Sequence, residues 1–252
     1  MSMSFCAGYE HQARSSDNLH WAKPTTIESS HYKYTMAQTT TTAPTTLRIG
    51  VILCSSRKPR VCPEMAEWVM DTLQEQSLEI APAVPRHQLS LIDLAAWNLP
   101  LFDEPGIPSQ IKHHSEYAHE HTRAWSIEVQ KYSGFIFILP QYNWGYPAVI
   151  KNAIDFLFHE WKGKAAMIVS YGGHGGTKAA GQLKQVLQGV GMVPCEKEVA
   201  LTFEGRASMV KTQNGEPIDE VKKGGLWEPQ KKDVKDAMVQ MVYDILQSRR
   251  AS

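Results

Sequence analysis

Residues Gly134-Phe135-Ile136-Phe137-Ile138-Leu139 carry no polar side chain. A run that short, rich in aromatic and β-branched residues, predicts a strand covered on both faces, because a strand with one wet face would alternate apolar and polar side chains. Leu47–Leu53, His87–Leu94, Lys164–Tyr171 and Cys195–Phe203 are the other strand candidates. Helical spacing separates them. Pro63 suits the first turn of a helix bearing Met65, Trp68, Val69 and Leu73. Ser115–Tyr132 reads as a second helix, and Pro147 opens a third whose apolar face runs from Ile150 through Ile154 and Phe158 to Trp161. Leu183, Val186, Leu187 and Val190 mark a fourth, ended by Gly191, and Val234–Leu246 a closing one. A polar stretch with Asn214-Gly215 and Gly224-Gly225 reads as an irregular excursion. Five alternations without a sequence repeat predict an α/β fold: one doubly wound domain with a five-stranded parallel sheet over 47–250.

Composition narrows the function classes. Of 252 residues 42% are hydrophobic, enough to bury a core. Lys+Arg 26 against Asp+Glu 26 gives no net charge, which argues against a general nucleic-acid binder. Four cysteines without C-x-x-C spacing fit neither a disulfide scaffold nor a zinc module and point to a reducing compartment. No apolar run approaches the ~20 residues of a membrane span, and the N-terminus lacks the apolar core of a secretory signal. The expected location is the cytoplasm, with the nucleus an open alternative. Residues 1–46 are polar and aperiodic and end in a Thr-rich run, so a disordered tail is expected; Met36 before that run leaves an internal start open.

Ligands of doubly wound sheets bind at the carboxyl ends of the strands, here the loops 54–62, 140–146 and 171–176. The first, Cys54-Ser55-Ser56-Arg57-Lys58-Pro59-Arg60-Val61-Cys62, has no glycine, so it is neither a G-x-G-x-x-G turn nor a Walker A loop. Two hydroxyls, three cations and a helix N-terminus suit a phosphate monoester on a mononucleotide; an ordinary solvated loop is the alternative. The second, Pro140-Gln141-Tyr142-Asn143-Trp144-Gly145-Tyr146-Pro147, offers aromatic faces and amides to a flat heteroaromatic ring, or else roofs the core. The third, Gly172-Gly173-His174-Gly175-Gly176, lets backbone approach a ligand closely, or else is a plain tight turn. His113, His114, His119 and His121 lie on a polar helix and its lead-in, and read as a solvated face rather than a metal site. Lys151 and Asp155, four apart, are spaced to pair.

The string Leu139–Pro147, continued through Lys151-Asn152-Ala153-Ile154-Asp155, together with Ser170–Gly176, resembles the NADPH-dependent FMN reductase and quinone reductase family of the flavodoxin-like fold, in its fungal branch. The resemblance spans roughly 47–200. Ser55, Ser56 and Arg57 match the family's Gly-Ser-x-Arg phosphate loop, with Cys54 in place of the glycine. It implies that Ser55, Ser56, Arg57 and Arg60 hold the FMN phosphate. It places Pro140, Gln141, Tyr142, Asn143 and Trp144 along the isoalloxazine, and Gly172, Gly173 and His174 at its pyrimidine end. It further implies a homodimer and hydride transfer from NADPH or NADH, through FMN, to a quinone, free flavin or azo compound. The flavin then carries the chemistry and no catalytic side chain is required. A flavodoxin-type electron carrier and a flavin-binding redox sensor are the alternatives.

Overall fold

The computed structural model describes residues 46–77, 86–203, 205–218 and 225–251. Apart from Thr46, the N-terminal segment read as a tail lies outside them.

In the first strand, β1 (Leu47–Leu53), alternate side chains leave opposite faces and both faces are covered. It is followed by α1 (Cys62–Ser77), β2 (His87–Asp93) and the single-turn helix α2 (Leu94–Trp97). Then come α3 (Glu120–Gln130), β3 (Gly134–Pro140), α4 (Ala148–Asp155), β4 (Ala165–Gly172) and α5 (Thr177–Gly189). Two short strands, β5 (Val193–Pro194) and β6 (Val199–Thr202), precede α6 (Gly205–Asn214) and α7 (Glu228–Ala251). All pairings within the sheet are parallel, in the order β2-β1-β3-β4-β5, with β6 beside the later half of β4. This is the expected doubly wound, flavodoxin-like order with five strand positions.

Parallel strands need helices on both faces, and the core divides accordingly. Leu47, Ile49, Val51, Ile136, Ile138, Met167 and Val169 face α1 and α7, meeting Met65, Val69, Met238 and Met241. Ile52, Phe135, Phe137 and Ile168 face α3, α4 and α5, meeting Trp125, Ile150, Ile154 and Leu183. Gly50 allows this second layer to close: a Cβ there would stand 2.7 Å from the Phe135 ring.

Four sequence expectations need correction. The helix read over Ser115–Tyr132 begins at Glu120. Before it, His113 accepts the Ser115 N–H while Glu116 accepts those of Lys112 and His113, and these local bonds hold a 3₁₀ turn in place of α-helix. The helix from Pro147 ends at Asp155 because two indoles take its last carbonyls: Trp125 donates to Ala153 O (2.8 Å) and Trp161 to Ile154 O (3.3 Å). The strand read over Cys195–Phe203 is confined to Val199–Thr202; the two-residue β5 lies before the expected span, and Glu196, Lys197 and Glu198 between the two strands face water. The excursion contains α6; residues 219–224, with Gly224, lie outside the described residues. The histidines behave as polar surface groups, with His121 Nε2 2.9 Å from Asp103 Oδ1 and His119 stacked on His121. Lys151 and Asp155 do pair, at 2.5 Å and about 40% exposed, which is worth a few tenths of a kcal/mol. Among the described residues no helix is long and apolar enough to cross a membrane.

Candidate functional site

Because every strand is parallel, Leu53, Asp93, Pro140, Gly172 and Thr202 all end at one edge, and the three candidate loops meet there. The order reverses between β1 and β3, so the crevice opens beside the first two loops.

The first loop turns down at Cys54, whose N–H still bonds Ile138 O (3.1 Å), and buries Ser55 completely. The Ser55 hydroxyl lies 2.6 Å from the Tyr142 hydroxyl, tying the first loop to the second. Among the described residues, no backbone carbonyl accepts the N–H groups of residues 55–58. Of these residues Ser55 is buried and 56–58 are exposed, so the N–H groups open to solvent where an anion could take them, and the adjoining N-terminus of α1 adds its dipole.

The two arginines of this loop have different partners. Arg60 forks onto Asp93, at 2.9 and 2.5 Å, and also donates to Ser55 O. Asp93 in turn accepts the Ala95 N–H as the N-cap of α2. Partial burial would raise the Asp93 pKa, but the Arg60 fork and the Ala95 N–H outweigh it and hold the carboxyl below its ordinary range. Arg60 therefore anchors the loop to β2 while also lining the crevice. Arg57 is exposed and meets no carboxylate among the described residues; its Nη2 donates to Thr212 O (3.0 Å) and Gln213 O (2.7 Å) at the end of α6. Ser56 is exposed beside it.

In the second loop Tyr142 and Gly145 exchange backbone bonds of 2.9 and 3.0 Å around Asn143 and Trp144, both at positive φ (46° and 67°). A bulky residue in the left-handed region costs of order 1–3 kcal/mol, and such strain collects at ligand sites. Trp144 is 68% exposed. The Gln141 carboxamide oxygen accepts the first N–H groups of α5, from Lys178 (3.2 Å) and Ala179 (3.3 Å), and Gln141 also lines the crevice. The third loop turns through Gly175 and Gly176 at φ +73° and +75°. A Cβ on Gly176 would stand 2.8 Å from Tyr171 O.

These loops enclose one cavity of about 210 Å³. Arg57, Arg60, Pro140, Gln141 and Tyr142 line one side, with Gly172 and Gly173 across from them. Ser55 stands behind Tyr142, whereas Ser56, Asn143, Trp144 and His174 lie at the mouth or outside the lining. Tyr171, the first residue of the third loop, also lines it, together with Phe203, Met209, Thr212 and Gln213, which the sequence did not single out and which sit beyond its readable pattern. Burial first, then the neighbouring Cys62, pushes the Tyr171 hydroxyl well above its usual pKa; burial drives Cys62 to about 11 and also raises Cys54 well above the usual thiol value. All three keep their protons at neutral pH. Thiolates are the reactive form, so these cysteines are inert in the folded chain. Among the described residues, Arg57 and Arg60 are the charged groups in the lining, and no carboxylate opens onto it.

A binding site of this kind, anion-accepting at one end and aromatic at the other, agrees with what the chain is similar to. Residues 47–205 match the family model described as NADPH-dependent FMN reductase. The NAD(P)H-dependent FMN reductase LOT6 of Saccharomyces cerevisiae is 48% identical over 148 residues, 58% of this chain and 76% of that one. The NAD(P)H-dependent FMN reductase C4B3.06c of Schizosaccharomyces pombe is 45% identical over 141 residues, 56% of this chain and 66% of that one. Among solved structures, a flavoenzyme NAD(P)H:acceptor oxidoreductase from Paracoccus denitrificans superposes with a TM-score of 0.54 at 21% identity. It covers 77% of this chain and 97% of that one, a likeness of fold. With the match running from the first residue of β1 to the start of α6, and with two fungal relatives above 40% identity, the chain belongs to the NADPH-dependent FMN reductase family, oxidoreductases that work with FMN and NAD(P)H.

Proposed function

We propose that the cavity at the β1–β3 crevice holds FMN and that the chain passes hydride from NAD(P)H to a quinone or a similar flat acceptor. The observation that carries this reading is the lining itself: among the described residues it holds two guanidinium groups and no carboxylate, beside a loop whose N–H groups at 55–58 have no backbone carbonyl partner there. Ser55, Ser56, Arg57 and those N–H groups hold the phosphate, while Arg60 keeps the loop in shape through Asp93. Pro140 and the Tyr142 side chain form the shelf for the ring, and Gly172 and Gly173 let backbone come close to its polar edge. When bound, FMN supplies the hydride chemistry. Around it the chain binds, orients and shields. Tyr171 and Cys62, both protonated, leave no anion behind the ring that would oppose negative charge building on it. A cavity of about 210 Å³ is smaller than the ~300–1,000 Å³ that encloses a drug-sized ligand, so one face of the ring stays open to donor and acceptor in turn. A homodimer in the cytoplasm completes the proposal, with exposed Trp144 near the open face.

The test is steady-state NADPH oxidation by FMN-loaded protein with a quinone. Turnover that saturates in both substrates is expected. An FMN-loaded sample without turnover would overturn the reductase reading in favour of an electron carrier. Arg57→Ala should weaken coenzyme retention about tenfold or more, the loss of one charge-assisted contact of ~1.5–3 kcal/mol.

A further inference from the structure

The segment 205–218 begins where the family match ends, and its docking surface is the phosphate loop. Three contacts make the docking. Arg57 Nη2 caps the C-terminus of α6 through Thr212 O and Gln213 O. Gly215, at φ +68°, lies so close to the loop that a Cβ there would stand 2.6 Å from Pro59 Cβ and 2.9 Å from Arg60 N. Glu64 Oε1 accepts the Ile218 N–H (3.0 Å), and Ile218 is fully buried. In contrast α6 itself is lightly held: only Ser208 and Thr212 are buried along it, and Met209 and Val210 are 38% and 47% exposed. Met209 nevertheless reaches across the cavity to Gly173, where a Cβ would stand 3.1 Å from its Cε.

We infer that this strap is a coenzyme-coupled fourth wall of the cavity, with Arg57 the residue that couples the two. The inference rests on the FMN reading above. Arg57 spends a single nitrogen, Nη2, on the strap. A guanidinium carries five N–H donors in a rigid fork, so Nη1 and Nε remain for a phosphate on the other side. The bridge favours both partners. An anion on the fork fixes the guanidinium where the helix C-terminus needs a cation, and the docked helix fixes it where the phosphate needs a donor. By linkage each event strengthens the other by the same factor, and couplings of this kind are typically about 5–150-fold. Met209 then closes over the glycine loop when coenzyme is present, and the strap limits how thick an acceptor can enter beside it.

Hydrogen exchange of the full chain, read by mass spectrometry over 205–218 with and without FMN, tests the coupling while flavin fluorescence in the same samples reports binding. Exchange across the strap should slow at least about fivefold on FMN binding. Gly215→Ala, which obstructs docking without altering Arg57, should speed strap exchange and raise the Kd for FMN, by up to the factor by which FMN slows strap exchange in the native chain. Arg57→Lys keeps a charge but has no second fork; it should retain measurable FMN binding while the effect of FMN on strap exchange disappears. FMN that binds the native chain yet leaves strap exchange unchanged, or speeds it, overturns the coupling and leaves the coenzyme reading standing. A native chain that binds no FMN overturns both.

Discussion

The Arg60–Asp93 fork can be separated from the helix cap that shares the same carboxylate. Asp93→Asn keeps a good N-cap for α2 but removes the charge that Arg60 meets; Asp93→Ala removes both. The two side chains are 15% and 27% exposed, between the wet surface, where such pairs give ~0.2–1 kcal/mol, and the interior, where breaking one costs ~3–5 kcal/mol. We expect Asp93→Asn to cost about 1.5–2 kcal/mol at pH 7, and Asp93→Ala about 1 kcal/mol more for the lost cap. Urea unfolding reads this as a lower midpoint at unchanged slope. The pH dependence supplies an independent check. The carboxyl is held below its usual 3.8 in the folded chain, so its contribution is fully present above about pH 4 to 5 and is lost as pH falls towards the folded value. The gap between native chain and Asp93→Asn should therefore be flat from pH 5 to 7 and narrow below pH 4. A gap under about 0.5 kcal/mol at pH 7, or one that persists undiminished into acid, would refute the assignment of Arg60 to the shaping of the loop.

Other expectations follow from the same geometry. Phe137→Ala, at a fully buried ring between β1 and β4, should cost about 3–5 kcal/mol in urea unfolding. Gly176→Ala meets both a positive φ and the Tyr171 carbonyl, and should lower stability by about 2 kcal/mol and loosen FMN, seen as a lower Tm and a higher Kd. Cys54 and Cys62, buried and with raised pKa values, should resist iodoacetamide at pH 7 in the folded chain and react only in denaturant; rapid labelling of either in native protein would contradict their burial.

The sheet was legible because both faces of it are buried. Runs such as Leu47–Leu53 and Gly134–Leu139 have no wet side to blur them, and their ends agree with the observed strands to within a residue. Elements bounded by tertiary contacts were not. Nothing in the local pattern after Asp155 says that two indoles will take the last carbonyls of α4, and nothing before Glu120 outweighs the helical spacing except side-chain bonds seen only in three dimensions. The site divides in the same way. Its loops were found because topology brings strand ends together, but the partners of individual side chains depend on remote groups. Arg60 looked free until Asp93, 33 residues on, appeared beside it, and Gln141 until the start of α5 did. Met209, Thr212 and Gln213 belong to a polar stretch of low amphipathicity, where sequence carries no sign that the helix will close a cavity through an anchor on Arg57, 155 residues before Thr212.

The central claim is that a phosphate is held at residues 55–57 while a flat ring lies on the shelf at 140–142. Titrating purified chain with FMN and, separately, with riboflavin tests it directly, with flavin fluorescence as the readout. FMN should bind one per chain and at least about tenfold more tightly than riboflavin, which has the same ring and no phosphate. Equal affinities for the two, or no uptake of either, would contradict it.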